Sequence, residues 1–343
     1  MKRAFFALLA LLCTASAAIA GDKVNERWQQ AVLAAIDSFP ERGGYYTGGR
    51  PNDLFAKTTW RGLHDAYQMS PSDERPRFDP MQAQPSFCSS ATYSVVIKAL
   101  LIWDTKGKIK REAWINMKPY VGIADALNPD GLGQDDGVGF WGRANANGPS
   151  LGVLVRELGA GYSFTAYRGA KSERNRETPG ERYLSDQEWC ALDVWTRAIP
   201  GDLMKIFWNR NESRGSDSGA IIGCDDHRDA DQEAGHSVIY MGCEGDTVTY
   251  WSSNGPGKHP EQMGYSMGRC HKRDIQRVVF TRITRPERFN NARKMAPTDV
   301  NAYLSDLNGK RHSTTAEMLI QLGVKSEELE VRSCFCPGTT LHY

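Results

Sequence analysis

Two residues far apart in the chain have the types that thiol chemistry needs. Cys88 lies in Gln82-Ala83-Gln84-Pro85-Ser86-Phe87-Cys88-Ser89-Ser90, and His236 opens the run Gly235-His236-Ser237-Val238-Ile239-Tyr240-Met241-Gly242. A thiolate is a strong nucleophile, and an imidazole that titrates near neutrality can take the thiol proton and later return one to a leaving group. A polar side chain on the second ring nitrogen would fix the tautomer. Ser252, Ser253 and Asn254 stand one hairpin away from His236 and offer such a partner.

The elements that must position these groups are legible around them. After Cys88, Tyr93, Val96, Ile97, Leu100 and Leu101 recur at helical spacing, which predicts an amphipathic helix facing a core. Ser86, following Pro85, is the expected N-cap, which puts Cys88 in the first helical turn. There the unpaired N–H groups and the positive end of the helix dipole favour a thiolate. A disulfide cysteine that happens to start a helix is the other reading of this segment. His236 begins a β-prone run followed by Cys243-Glu244-Gly245-Asp246 and Thr247-Val248-Thr249-Tyr250-Trp251-Ser252-Ser253-Asn254, a hairpin pattern. A four-residue loop over 243–246 would set His236 opposite Ser253, and a one-residue change in the loop would set it opposite Ser252.

Composition narrows the classes. The 343 residues are 40% hydrophobic and 24% charged, as expected of a globular protein with a real core. Lys and Arg number 42 against 41 Asp and Glu, so no field of one sign exists to hold a nucleic acid by its phosphates. Met1-Lys2-Arg3, the apolar stretch Ala4 to Ala18 and the small-x-small Ala18-Ile19-Ala20 predict a signal peptide over residues 1–20, too short for a membrane anchor. Leu12 before Cys13 argues against a lipoprotein. Removing Lys2 and Arg3 leaves 40 basic residues against 41 acidic, a net charge of −1. The mature chain is expected to be soluble, periplasmic or secreted, with no membrane span.

Export makes the cysteine count informative. Seven remain beyond residue 20: Cys88, Cys190, Cys224, Cys243, Cys270, Cys334 and Cys336. An odd number in an oxidising compartment leaves at least one thiol unpaired within the chain, and Cys88 is the candidate. The other six allow up to three bridges, and one between Cys224 and Cys243 would clamp the surroundings of His236.

Taken in order, the Cys-bearing helix start, Gly201-Asp202-Leu203-Met204-Lys205-Ile206-Phe207-Trp208 and Gly235 to Gly242 resemble the catalytic core of the papain-like cysteine hydrolases. The NlpC and CHAP types, which cut amide bonds in bacterial cell-wall peptides, are the most similar by motif. The resemblance covers Gln82 to about Asp104 and Gly201 to about Ile283. It implies an α+β fold in which a Cys-bearing helix packs on an antiparallel sheet, with Cys88 as nucleophile and His236 as base. Asn254 or Ser252 would orient the ring, the family pattern favouring the amide. The backbone N–H of Cys88 and the side chain of Gln82, six residues upstream as in papain-like peptidases, would hold the oxyanion; Gln84 is an equally available amide. The 148 residues between Cys88 and His236 exceed the spacing of compact cell-wall enzymes but fall within the roughly 130–150 of papain-type ones.

The chain then divides into a signal peptide (1–20), an N-terminal helical and loop segment (21–80), a catalytic domain (81–285) with an insertion of loops and short helices over about 105–200, and an appendage (286–343). Trp28 to Ile36 reads as a helix, and the glycine-rich Gly43 to Gly49 as a mobile loop able to approach a substrate. Within the insertion, Trp141 to Asn147 combines an aromatic, a guanidinium and amides suited to a peptide or glycan, or to a packed turn. No metal or organic cofactor is required; the expected partner is a cell-wall peptide or glycopeptide, and a protein inhibitor is left open. Two other classes compete: a metal-dependent hydrolase built from Cys224-Asp225-Asp226-His227-Arg228-Asp229-Ala230-Asp231 with His236, and a binding protein that keeps the scaffold without the chemistry.

Overall fold

A seven-stranded antiparallel sheet organises the residues that the computed structural model describes, which are 25–47, 51–119, 150–168, 184–208, 235–255 and 258–295. Across the sheet the strands run β1 (Arg42–Gly43), β8 (Gly264–His271), β7 (Thr247–Asn254), β6 (Gly235–Glu244), β5 (Leu203–Trp208), β9 (Ile275–Ile283) and β4 (Gly161–Tyr167). A short ribbon pairs β2 (Tyr67–Gln68) with β3 (Arg77–Phe78). The helices are α1 (residues 25–37), α2 (Thr59–Ala66), α3 (Cys88–Trp103), α4 (Arg111–Met117), α5 (Ser150–Glu157), α6 (Asp186–Cys190) and α7 (Val194–Arg197). The fold is α+β. Among the described residues no helix is long and apolar enough to cross a membrane.

Both faces of the sheet are covered. Strand alternation turns Leu203, Ile239 and Trp251 toward α3, and Met204, Ile206, Val238, Tyr240 and Tyr250 toward a second core around Trp189 and Trp195. Side chains of a strand covered on both faces are apolar in succession, which explains the unbroken Leu203-Met204-Lys205-Ile206-Phe207-Trp208 run save for its single lysine.

The central helix differs from the amphipathic one its stripe predicts. Beyond that stripe, Ala91, Val95 and Ala99 are also buried, and most of α3 is enclosed. A helix that is apolar nearly all round belongs inside a protein. Beside strands β6 and β7, residues from outside the expected catalytic segment share its core: Trp28 and Val32 of α1, Leu63 of α2, and Phe289 from the 3₁₀ segment Pro286–Lys294.

Residues of the described parts of 25–80 and of 286–294 therefore share the core of α3. Asn290 accepts from the Lys110 N–H (3.0 Å), and Asn291 donates to the Leu158 carbonyl (2.9 Å). The span 105–200 likewise contributes more than loops and short helices. Its β4 pairs with β9 through the full length from Gly161 to Tyr167 and forms one edge of the main sheet. Gly159, at φ +69°, ends the α5 turn in the left-handed conformation expected of a helix C-terminus. Residues 1–24, Trp141 to Asn147, the acidic run from Cys224, and Cys334 and Cys336 lie outside the described residues.

Because Phe289 is fully buried, Phe289→Ala should lower stability by about 3–5 kcal/mol. Urea unfolding would measure this, and an independent appendage would leave the midpoint unchanged.

Candidate active site

Cys88 is the first residue of α3. The N-cap is Phe87, one residue later than expected, because Ser86 is engaged elsewhere. Its N–H and C=O pair with Gly44 O (3.0 Å) and Tyr46 N–H (2.9 Å), and its hydroxyl donates to Ser253 Oγ (2.8 Å). The helix start is closed by Ser90, whose Oγ accepts from the Phe87 N–H (2.8 Å) and donates to the Phe87 carbonyl (2.7 Å).

The hairpin that carries His236 is tighter than the four-residue loop expected. Cys243 and Glu244 belong to β6, and the turn is Gly245–Asp246, with Gly245 at φ +55°. Glu244 faces Thr247, but Ile239 faces Trp251, so β6 holds one extra residue between these pairs. This bulge, next to Gly242 at φ +145°, shifts every later position by one. Continued past Ile239, the unbulged register would set His236 opposite Gly255; the bulged one sets it opposite Asn254.

Beyond Ile239 and Trp251 the ladder between β6 and β7 stops, and side chains bridge the strands instead. The buried Ser252 donates to the Ser237 carbonyl at 2.7 Å, so it ties the strands together and does not orient the imidazole. His236 Nε2 meets Asn254 Oδ1 at 2.8 Å. Asn254 Nδ2 donates to the Ser266 carbonyl (3.0 Å) and to Ser266 Oγ (2.9 Å). A carbonyl only accepts, so Ser266 fixes which end of the amide faces the ring. The oxygen must accept from Nε2–H, which leaves Nδ1 without a proton in the neutral ring and available to the thiol. Tyr250 packs edge-on to the imidazole (5.5 Å between centroids) and Trp208 lies nearly parallel to it (6.5 Å).

Cys88 is half-buried, and its thiol is hydrogen bonded to His236. Burial alone would push the thiol up. The hydrogen bond and positive charge of His236, the charge of Lys205 and the Ser237 N–H outweigh burial and bring the thiol down to about 6. Cys190, Cys243 and Cys270 are also unbridged among the described residues, but burial raises the Cys190 and Cys270 thiols. Of Cys88, Cys190 and Cys270, only Cys88 is drawn toward the thiolate.

Gln82 is exposed and is held through its backbone carbonyl, which accepts from Lys57 Nζ at 3.2 Å. Its side chain is left to solvent where residues 79–83 turn back on themselves through Gln82 N–H to Asp79 O (3.1 Å) and Ala83 N–H to Pro80 O (3.3 Å), and no hydrogen bond joins it to Cys88 among the described residues.

Three residues near the centre were not singled out from sequence. Lys205 of β5 is buried close enough for its charge to act on Cys88; a lone lysine in an apolar strand was the available signal. Ser266, which sets the amide, had none. Tyr45 lies in the Gly43 to Gly49 run, whose described part is a docked strap pairing with Ser86 and with Pro260 O (2.8 Å). Its phenol is kept protonated by burial and by the charge of Cys88, and its ring occupies the space a side chain at Gly255 would need.

The arrangement provides a nucleophile, a proton acceptor in one defined tautomer and an anchor for that tautomer. Compared with known proteins, the chain matches no family model, no curated protein and no solved structure.

The rate of Cys88 alkylation by iodoacetamide should rise through a midpoint near pH 6, since the thiolate is the reactive form and its fraction grows above the pKa. In His236→Ala the midpoint should move upward, because burial then acts with less opposition. Asn254→Ala should move it less. Mass spectrometry of the Cys88 peptide over a pH series checks all three.

Proposed function

We propose that the protein is an exported thiol hydrolase of papain-like architecture that cleaves an amide bond in bacterial cell-wall peptides. The observation that carries this reading is the chain of contacts from the Cys88 thiol to His236 to Asn254 to Ser266 at the start of a buried helix. The signal-peptide pattern at the N-terminus supports export, and the order of motifs supports the choice of cell-wall amides.

In this reading the Cys88 thiolate attacks the amide carbonyl, forming the S–C bond while the carbonyl π electrons move to oxygen. The Cys88 backbone N–H, unpaired at the first turn of α3, faces that oxyanion. Protonated His236 delivers its Nδ1 proton to the amide nitrogen, the C–N bond breaks and the amine leaves. Water then attacks the thioester while Nδ1 takes its proton, and collapse releases the acid and regenerates the thiolate. Throughout, Asn254 keeps the ring oriented by accepting from Nε2–H.

Purified protein incubated with cell-wall sacculi should release peptide fragments identifiable by mass spectrometry. Cys88→Ala should abolish release without unfolding the chain, and His236→Ala should cut it by about 10²–10⁴-fold. Full activity in Cys88→Ala would refute the thiol mechanism. Loss of activity with EDTA and its return with zinc would instead favour a metal-dependent reaction at the acidic run.

A further inference from the structure

Two hydroxyls meet beneath the reacting centre. Ser86 and Ser253 are both fully buried, and Ser86 Oγ donates to Ser253 Oγ at 2.8 Å although 167 positions separate them in the chain. Ser86 stands two residues before Cys88, and Ser253 is the residue before Asn254. The pair therefore closes a ring of contacts. It runs from the Cys88 thiol to His236, from His236 to Asn254, along the chain to Ser253, across to Ser86 and back through Phe87 to Cys88.

Neither hydroxyl is needed by the secondary structure around it. The start of α3 is closed by Ser90, which bonds both the N–H and the carbonyl of Phe87, so the Ser86 side chain caps nothing. The Ser86 backbone holds Gly44 and Tyr46 without its side chain. On β7, the Ser252 hydroxyl ties the strand to β6, and backbone pairing of Ser253 with Tyr265 ties it to β8. Burying a hydroxyl is unfavourable unless a partner satisfies it, and an alanine in either place would have no hydroxyl to desolvate. Here the partner is the other serine. The Tyr265 hydroxyl, which donates to the Ala83 carbonyl, is also within hydrogen-bonding reach of Ser86 and holds the same segment to β8.

The three residues at the end of β7 thus serve three elements. Ser252 reaches β6, Ser253 reaches the segment leading into α3, and Asn254 reaches the imidazole and β8. We propose that Ser86 and Ser253 are positioning residues, whose hydrogen bond fixes the start of α3 against the end of β7 and so sets the distance between the Cys88 sulfur and the His236 ring. Without that link the helix start is free to shift from the strand end, and a contact of hydrogen-bond length weakens steeply with such a shift. His236 then holds the thiolate less well, burial meets less opposition, and the thiol rises. This inference deepens the thiol-hydrolase reading and rests on it for its consequence in turnover, but the positioning itself can be tested without turnover.

The pH profile of Cys88 alkylation by iodoacetamide provides that test, in Ser86→Ala, Ser253→Ala and the double variant. The backbone bonds of Ser86 survive these changes. So do His236, Lys205 and Tyr45, the titratable groups that face the thiol, and a shift therefore reports distance and not a deleted charge. Each single variant should move the midpoint upward from near pH 6 by about half a unit, and the double variant should add little, since both singles break one link. Ser253→Thr, which keeps the hydroxyl, should restore the original midpoint. An unmoved midpoint in the folded single variants overturns the proposal even where urea unfolding shows lost stability, because a merely structural pair would cost stability alone. Full additivity in the double variant also overturns it, since the two hydroxyls would then act separately. If one alanine variant does not fold, the other breaks the same link from the opposite side and decides alone. A raised midpoint with no release of fragments from sacculi upholds the positioning role while refuting the hydrolase reading, and release with an unmoved midpoint does the reverse. Where a peptide is cleaved, Ser253→Ala should lower kcat and leave KM nearly unchanged, because the enclosed hydroxyl does not touch substrate.

Discussion

The bulge before Gly242 decides which side chains meet at the sheet's open end. A two-residue turn alone would run β6 and β7 in a register that leaves His236 facing a glycine. One extra residue in β6 moves Asn254 into that place and also increases the local twist, consistent with the ladder ending at Ile239 and Trp251. The parted strands then expose groups that a continued ladder would have consumed. Ser237 gives its carbonyl to Ser252 and its N–H to the Cys88 sulfur, and Ser253 takes the hydroxyl of Ser86. The site occupies the break in the sheet, and the break follows from the register.

A thiolate in this half-buried place needs compensation. Desolvation is the largest single influence on Cys88 and opposes its charge. What reverses it is a set of smaller contributions from separate elements: His236 on β6, Lys205 on β5 and the N–H of Ser237. The α3 dipole adds to these, since the first turn presents free N–H groups to the sulfur. Each of these partners has contacts that position it. The ring is anchored through Asn254 to Ser266, and the lysine is confined by Phe207 and Gly235. Preorganised dipoles and charges of this kind need no rearrangement when negative charge develops on a bound carbonyl.

Local patterns in the sequence were legible where one interaction dominates. Helical spacing after Cys88 located α3, and the β-prone runs located β6 and β7. The reading failed where a distant partner overrides a local preference. Ser86 is a good N-cap by type, but its hydroxyl is engaged by Ser253, far away in the chain, so Phe87 takes the cap position. Ser252 is polar but two residues before the ring's partner Asn254, because the turn has two residues rather than four and β6 carries a bulge, neither of which a loop count reveals. Residues 286–294 are rich in arginine and asparagine, which reads as surface, yet Phe289 and Ala292 are fully buried while the polar neighbours cap α4 and α5. Strand β4 was hidden for a related reason: an edge strand pairs on one side only, and its Gly-Tyr-Ser-Phe-Thr-Ala-Tyr pattern has a single buried residue, Phe164.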